Sequence, residues 1–117
     1  DMGVFDYQVN CVIGDFSKLE KYCKEKFQDA NYELPMESKN SPPLGYCIYK
    51  VDYVPIIWLP NKPTTNKEHG TLAHESLHAM FHLFAWAGLP ITRDTEEVLA
   101  HGISHIVKTV LRISEKI

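Results

Sequence analysis

A short run of metal-ligand and carboxylate side chains occupies residues 74–78, where the sequence reads His-Glu-Ser-Leu-His. Residues four apart lie on the same face of a helix, so His74 and His78 can direct both imidazoles at one cation. Glu75 lies about 100° further round the helix axis, where its carboxylate can address water bound to the metal instead of the metal itself. Zinc suits such a site because it accepts neutral imidazole nitrogens and lowers the pKa of its bound water. The motif predicts a zinc centre with Glu75 as general base.

The segment around this motif has the signals of a long helix. Thr65 followed three residues later by Glu68 has the form of a capping box. Apolar residues at helical spacing then continue to residue 86, and Gly88 follows as a helix terminator. The metal-binding histidines would therefore lie in the middle of a regular helix.

A second helix is predicted after this turn, and its first turn contains two adjacent glutamates. Thr92 or Asp94 can cap the helix, which runs to about Ser114. Its apolar stripe consists of Leu99, Ile103, Ile106, Val107 and Val110. Glu96 lies nearer this stripe than Glu97, and Glu97 can also be the fourth member of a capping box opened by Asp94. A hairpin of the two helices can fold one of these carboxylates back over the histidines.

The first part of the chain predicts a strand followed by a helix. Residues 4–13 alternate between apolar and polar side chains, which is typical of a half-buried strand, and Gly14 ends it. Asp15 can then cap a helix with apolar residues at helical spacing over residues 16–27. That helix should cover one face of a sheet.

Two further strands are predicted before the histidine helix. Residues 28–44 contain prolines and asparagines without periodicity, which indicates a loop. Residues 46–53 and 56–59 are rich in β-branched and aromatic side chains, and the second of these segments is apolar on both sides. It should therefore lie inside the sheet or under other elements, and not at an open edge. The order of strand, helix, two strands and two helices predicts an α+β fold in one domain, residues 1–117.

Composition limits the classes of partner. The chain has 117 residues, 44% of them hydrophobic, which suffices for one compact core. A net charge of -3 argues against nucleic acid as a partner, and no run is long and apolar enough for a membrane span. The spacing of Cys11, Cys23 and Cys47 fits neither a zinc ribbon nor a disulfide framework, so we expect reduced thiols. We expect a cytoplasmic protein.

The histidine motif and the following helix together resemble the gluzincin metallopeptidases. In that family HExxH is followed, after 18 or slightly more residues, by a ligand glutamate and then, three residues on, by a small side chain. Here 18 positions separate His78 from Glu97, and Ala100 is the small residue. If Glu96 were the ligand, the third-following residue would be the bulky Leu99. The resemblance, which covers about residues 70–110, implies His74, His78 and Glu97 as zinc ligands.

The length and element order are similar to those of the minigluzincins, and small HExxH domains of this kind also occur in phage-encoded proteins. The likeness implies a small zincin-like domain in which an edge strand from residues 46–59 forms the upper wall of a cleft, where an extended peptide could pair with it. It also implies an oxyanion donor, for which His101, His105, Tyr49 and Tyr53 are candidates.

The resemblance implies a zinc-dependent metallopeptidase that hydrolyses peptide or protein substrates. The alternative is a catalytically silent, zinc-stabilised module that binds a protein partner. Glu75 favours hydrolysis, because a structural zinc site has no need of a carboxylate beside water. A third interpretation is a metal-free helical hairpin in which the histidine spacing is accidental.

Overall fold

The computed structural model describes residues 9–34, 45–49 and 54–116, and within them the chain forms three helices and a three-stranded sheet. In chain order the elements are β1 (Asn10–Ile13), α1 (Phe16–Lys26), β2 (Tyr46–Ile48), β3 (Ile56–Leu59), α2 (Asn66–Ala87) and α3 (Glu96–Ser114). This order confirms the predicted sequence of strand, helix, two strands and two helices, and the α+β class.

The central strand of the sheet is β3. It pairs in parallel with β1 and antiparallel with β2, so β1 and β2 form the two outer strands of the described sheet. All four β3 residues are buried, because helices cover both faces of the sheet. The prediction that this doubly apolar segment lies inside the sheet is confirmed.

Alternate residues of β3 belong to two different cores. Ile56 and Trp58 pack with α1 residues such as Leu19. Ile57 and Leu59 pack on the opposite face with α2 and α3. The outer strand β1 is divided in the same way, with Val12 against α1 and Cys11 and Ile13 on the other side (the latter two only partly buried). The sequence predicted β1 to be half-buried, and the structure instead covers both of its faces.

Local capping chemistry fixes the start of α1. Gly14 has a φ of 150°, a conformation that favours glycine, and it ends β1 as predicted. The carboxylate of Asp15 accepts a hydrogen bond of 2.9 Å from the backbone N–H of Lys18, which makes it the predicted N-cap. The indole N–H of Trp58 donates to the carbonyl of Gly14 at 2.9 Å, so the turn is also tied to the central strand.

The turn between α2 and α3 follows the prediction at one end only. Gly88 has a φ of 71° and terminates α2 in the left-handed conformation, as predicted. The N-cap of α3 is Thr95, not Thr92 or Asp94. The Thr95 hydroxyl donates to the carbonyl of Pro90 at 2.6 Å and accepts from the N–H of Thr92 at 2.9 Å. It closes the preceding turn, and the helix therefore begins only at Glu96.

Several predicted segments lie outside the described residues, namely residues 4–8 of the first strand, 35–44 of the loop and 50–53 of the second strand. Cys11, Cys23 and Cys47 are free thiols, as expected. Among the helices that the structure describes, none combines the length and the apolarity that crossing a bilayer requires.

Candidate metal centre

The helix α2 holds the histidine motif well away from its own ends. It begins with the predicted capping box, in which the Thr65 hydroxyl accepts from the N–H of Glu68 at 3.1 Å and the Glu68 carboxylate accepts from the N–H of Thr65 at 3.1 Å. Residues 74–78 follow after two complete turns, in the interior of the helix, where backbone N–H and C=O groups can all form hydrogen bonds within the helix. The spacing of the two histidines is therefore fixed by a regular helix.

The ring nitrogens of His74 and His78 lie close together. Their Nε2 atoms lie 3.1 Å apart, and the ring centroids are separated by 4.7 Å at an interplanar angle of 79°. Two zinc–nitrogen bonds of ordinary length at a tetrahedral angle place the nitrogens about 3.3 Å apart. The pair thus has nearly the spacing that one zinc ion requires, and the side chain of His74 is 65% exposed to the solvent from which an ion would arrive.

Glu75 occupies a different environment from its two neighbours. Its side chain is only 10% exposed, and its Oε2 lies 4.0 Å from the Nε2 of His74. Burial raises the pKa of the Glu75 carboxyl, although the imidazoles of His74 and His78 act in the opposite direction. A carboxylate beside two imidazole rings, with an increased affinity for protons, is suited to accept a proton from water and to release it again.

The strand β2 runs beside the histidines and in the same direction as α2. At its beginning, Gly45 lies against Thr71 and Glu75 of α2. At its end, the ring of Tyr49 stacks on His82, with centroids 4.4 Å apart and an interplanar angle of 23°. The level of His74 and His78 falls between these two contacts. The segment from Gly45 to Tyr49 therefore spans the histidine pair along its length.

A cleft of about 750 Å³ lies between β2 and α2. Its lining consists of Tyr32, Glu33, Gly45, Tyr46, Cys47, Ile48, Tyr49, His74, Glu75 and His78. In the described part of the sheet β2 pairs with β3 alone, so its other edge has no partner strand there. The cleft thus combines the histidine pair, the buried carboxylate and a strand edge.

Glu97 does not join the two histidines. Its side chain is 84% exposed, and its Oε2 lies 3.4 Å from the Nε2 of His101, one turn further along α3. Nine residues separate it from the buried Ile106, which is about 900° of helix and places the two on opposite sides. Glu96 is exposed as well, and no group of three or more candidate metal ligands is formed by the residues in the described ranges.

The candidate oxyanion donors lie in different parts of the structure. Tyr49 lines the cleft, whereas His101 lies beside Glu97 on the exposed side of α3. His105 is exposed on the same helix, and Tyr53 falls outside the described residues. Of these predicted candidates, Tyr49 is the one that the structure places beside the histidine pair.

Sequence reasoning expected one part of the opposite wall of the cleft and overlooked another. Tyr46 belongs to the 46–59 segment expected to form this wall, whereas Tyr32, Glu33 and Gly45 line it without having been predicted. Of these three, Gly45 alone had a readable signal, a glycine directly before a strand. Cys47 lines it too, but burial and the nearby Glu75 raise the pKa of its thiol to about 12, so it is protonated at neutral pH. The other wall residues depend on a long-range approach of β2 to α2.

Comparisons with protein-family models, with curated proteins and with solved structures found no match to the chain.

Proposed function

We propose that this chain is a small zincin-like, zinc-dependent metallopeptidase in which His74 and His78 bind the metal and Glu75 is the general base. The observation that supports this most directly is the 3.1 Å separation of the two Nε2 atoms at an open cleft, with a largely buried carboxylate beside them. The gluzincin resemblance of residues 70–110 supports the same assignment.

Zinc bound by these imidazoles would polarise a peptide carbonyl and acidify water. Glu75 accepts a proton from a water molecule in the cleft, and its low exposure keeps that proton from bulk solvent until it passes to the leaving amine. The raised pKa of the Glu75 carboxyl supports both halves of this role, because a group that both takes and returns a proton needs a pKa nearer to neutrality.

The edge of β2 is proposed to hold the substrate. A peptide in extended conformation can add to an unpaired strand edge through its main chain, which gives affinity with little dependence on sequence. Because β2 runs from the level of Glu75 to that of His82, a peptide paired with it would cross the histidine pair. This supports a peptide or protein substrate. The free thiols support a reducing compartment, and we assign the activity to the cytoplasm.

Glu97 is proposed as the third ligand on the strength of the gluzincin resemblance. Its present position beside His101 on the exposed side of α3 means that binding requires a change in the rotation of α3 or in the path of its first turn. The N-cap Thr95 makes no side-chain capping bond to α3, although its hydroxyl ties the preceding turn to Pro90 and Thr92.

The proposal is tested by metal analysis and peptidase assays on reconstituted protein. We expect about one zinc per chain in the wild type, and loss of zinc in His74→Ala and His78→Ala, since each removes one of few ligands. Glu75→Gln should retain zinc and lose hydrolysis by a factor of roughly 10² to 10⁴, the usual contribution of a general base. His69→Ala, which removes an exposed histidine at the start of α2, is the matched control and should change neither quantity.

The same zinc measurement applied to Glu97→Ala and Glu96→Ala tests the third ligand. Glu97→Ala should weaken zinc binding by more than Glu96→Ala, and the reverse order would assign the role to Glu96. A wild type without zinc after reconstitution would refute the metal site as a whole. Zinc binding without any hydrolysis would instead favour the silent binding module.

A further inference from the structure

Tyr49, which lines the cleft, stacks on His82 of α2. Tyr49 follows directly after β2 and remains 58% exposed, although its ring lies 4.4 Å from that of His82. The nearly parallel stack covers one face of the Tyr49 ring. The rest of the ring is an aromatic surface that faces solvent at the cleft.

This surface is adjacent to His74 and His78, the candidate metal ligands. His82 lies four residues after His78, which is one helical turn and about 6 Å along α2. Tyr49 lines the same cleft as both metal-binding histidines. A peptide crossing the metal would therefore place a nearby side chain against these rings.

The chemistry around Tyr49 and His82 favours an uncharged side chain on the bound peptide. Burial lowers the pKa of His82, so its imidazole is neutral at neutral pH and stacks as an aromatic ring. The lining of the cleft, as far as the structure describes it, includes no lysine or arginine that would attract an acidic side chain. Glu75 lines the cleft beside Gly45 and Glu33 also lines it, and both would repel an acidic side chain.

We infer that Tyr49, supported by its stack on His82, is the specificity subsite of this cleft and receives an aromatic or large apolar side chain of a peptide held at the histidine pair. This inference rests on the proposed function, since it requires a ligand held at the histidine pair. The gain in binding free energy comes from apolar area removed from water and from ring–ring contact.

Two zinc-chelating hydroxamates that differ only in a benzyl or a methyl side chain test the inference without an activity assay. The zinc-loaded wild type should bind the benzyl compound about tenfold more tightly, as judged by calorimetry. Tyr49→Ala should abolish this discrimination, while Tyr49→Phe, which keeps the ring, should preserve it. Trp86→Ala is the matched control, because Trp86 is a 69% exposed aromatic residue of α2 that is not part of the cleft lining.

Each outcome separates the inference from the proposed function. Equal affinity of the wild type for the two hydroxamates would overturn the subsite while leaving the metal centre in place. An equal loss of discrimination in Trp86→Ala and Tyr49→Ala would also overturn it. If protein treated with zinc retained no metal and bound neither compound, the metal centre itself would be refuted, and the subsite with it. His82→Ala provides a second variant that should weaken the benzyl preference from the other side of the stack.

Discussion

Gly45 determines how closely β2 can approach the helix that contains the histidines. A Cβ atom at this position would lie 2.5 Å from the Cγ2 of Thr71 and 3.3 Å from the Cγ of Glu75. The first distance is shorter than real carbon contacts allow, and the Thr71 side chain is β-branched and has few alternative rotamers. The glycine is required by close approach here, and the proximity of β2 to Glu75 depends on it.

We expect Gly45→Ala to lower the free energy of unfolding by about 1–3 kcal/mol, the usual cost of an added methyl group in a packed interface. Combining it with Thr71→Ala removes the clashing Cγ2 atom, so the double variant should recover part of that loss. Urea unfolding of the four proteins in this cycle gives the coupling energy directly. Strictly additive effects would show that the strain lies elsewhere.

Residue-level chemistry was predictable from the sequence where it depends on one helix. The spacing of His74 and His78 fixes their nitrogens within a turn, and the structure places them 3.1 Å apart. The position of Glu97 depends on the rotation of α3 against α2, which is set by packing of Ile106 and Val110. The spacing of residues along the chain does not determine that rotation, so the assignment of Glu97 as third ligand stays a prediction.

At the scale of elements, the ends of helices follow from short-range hydrogen bonding. Asp15, the Thr65–Glu68 capping box and Gly88 all act where the sequence predicted them. The predicted start of α3 was wrong because the Thr95 hydroxyl forms hydrogen bonds with Pro90 and Thr92 before the helix begins. Competition between two local hydrogen-bonding patterns decided this boundary, and the residue types alone favour both patterns.

The capping box at the start of α2 should make the stability of the protein depend on pH. Hydrogen bonds from the N–H groups of Thr64 and Thr65 lower the pKa of Glu68 below its ordinary value. A carboxyl group whose pKa is lower in the folded state stabilises the fold above its unfolded pKa, and that contribution is lost as the pH falls through the folded pKa. Protonation of Glu68 below about pH 4 should therefore weaken the helix that holds the metal site.

Glu68→Gln should be less stable than the wild type at pH 7 and should approach it in stability as the pH falls to about 3. The measurement is the urea midpoint at each pH, compared between the two proteins so that other titrating groups cancel. Glu25→Gln, at an exposed glutamate of α1, is the control for loss of one negative charge. A difference between wild type and Glu68→Gln that stays constant with pH would contradict the linkage.

At the scale of the whole molecule, β3 joins two cores, and among the strands that the structure describes it is the most completely buried. Its Ile56 and Trp58 side chains belong to the α1 core, and its Ile57 and Leu59 side chains belong to the core of α2 and α3. The sequence predicted a fully buried strand because this segment is apolar at every position. It also predicted that the first helix covers one face of the sheet, but not which helices cover the other, since that depends on the crossover from β1 to β3.

Because one four-residue strand supplies both cores, we expect the described part of the chain to unfold in a single cooperative transition. Leu19→Ala removes a fully buried side chain from the α1 core, far from the histidines. The expected cost of about 2–5 kcal/mol should lower the Tm by roughly 10 °C for the whole protein, including α2 and α3.

The two tryptophans make this prediction measurable. Trp58 is buried in the α1 core and Trp86 is exposed on α2, so a Trp86→Phe background restricts the fluorescence signal to the α1 core. Circular dichroism at the same time reports mainly on α2 and α3, which contain most of the helical residues. Both signals should shift together in Leu19→Ala, measured with a chelator present so that bound metal does not stabilise α2 separately. If fluorescence alone shifted, β3 would not couple the two cores, and the metal site would be held by the α2–α3 hairpin without support from the sheet.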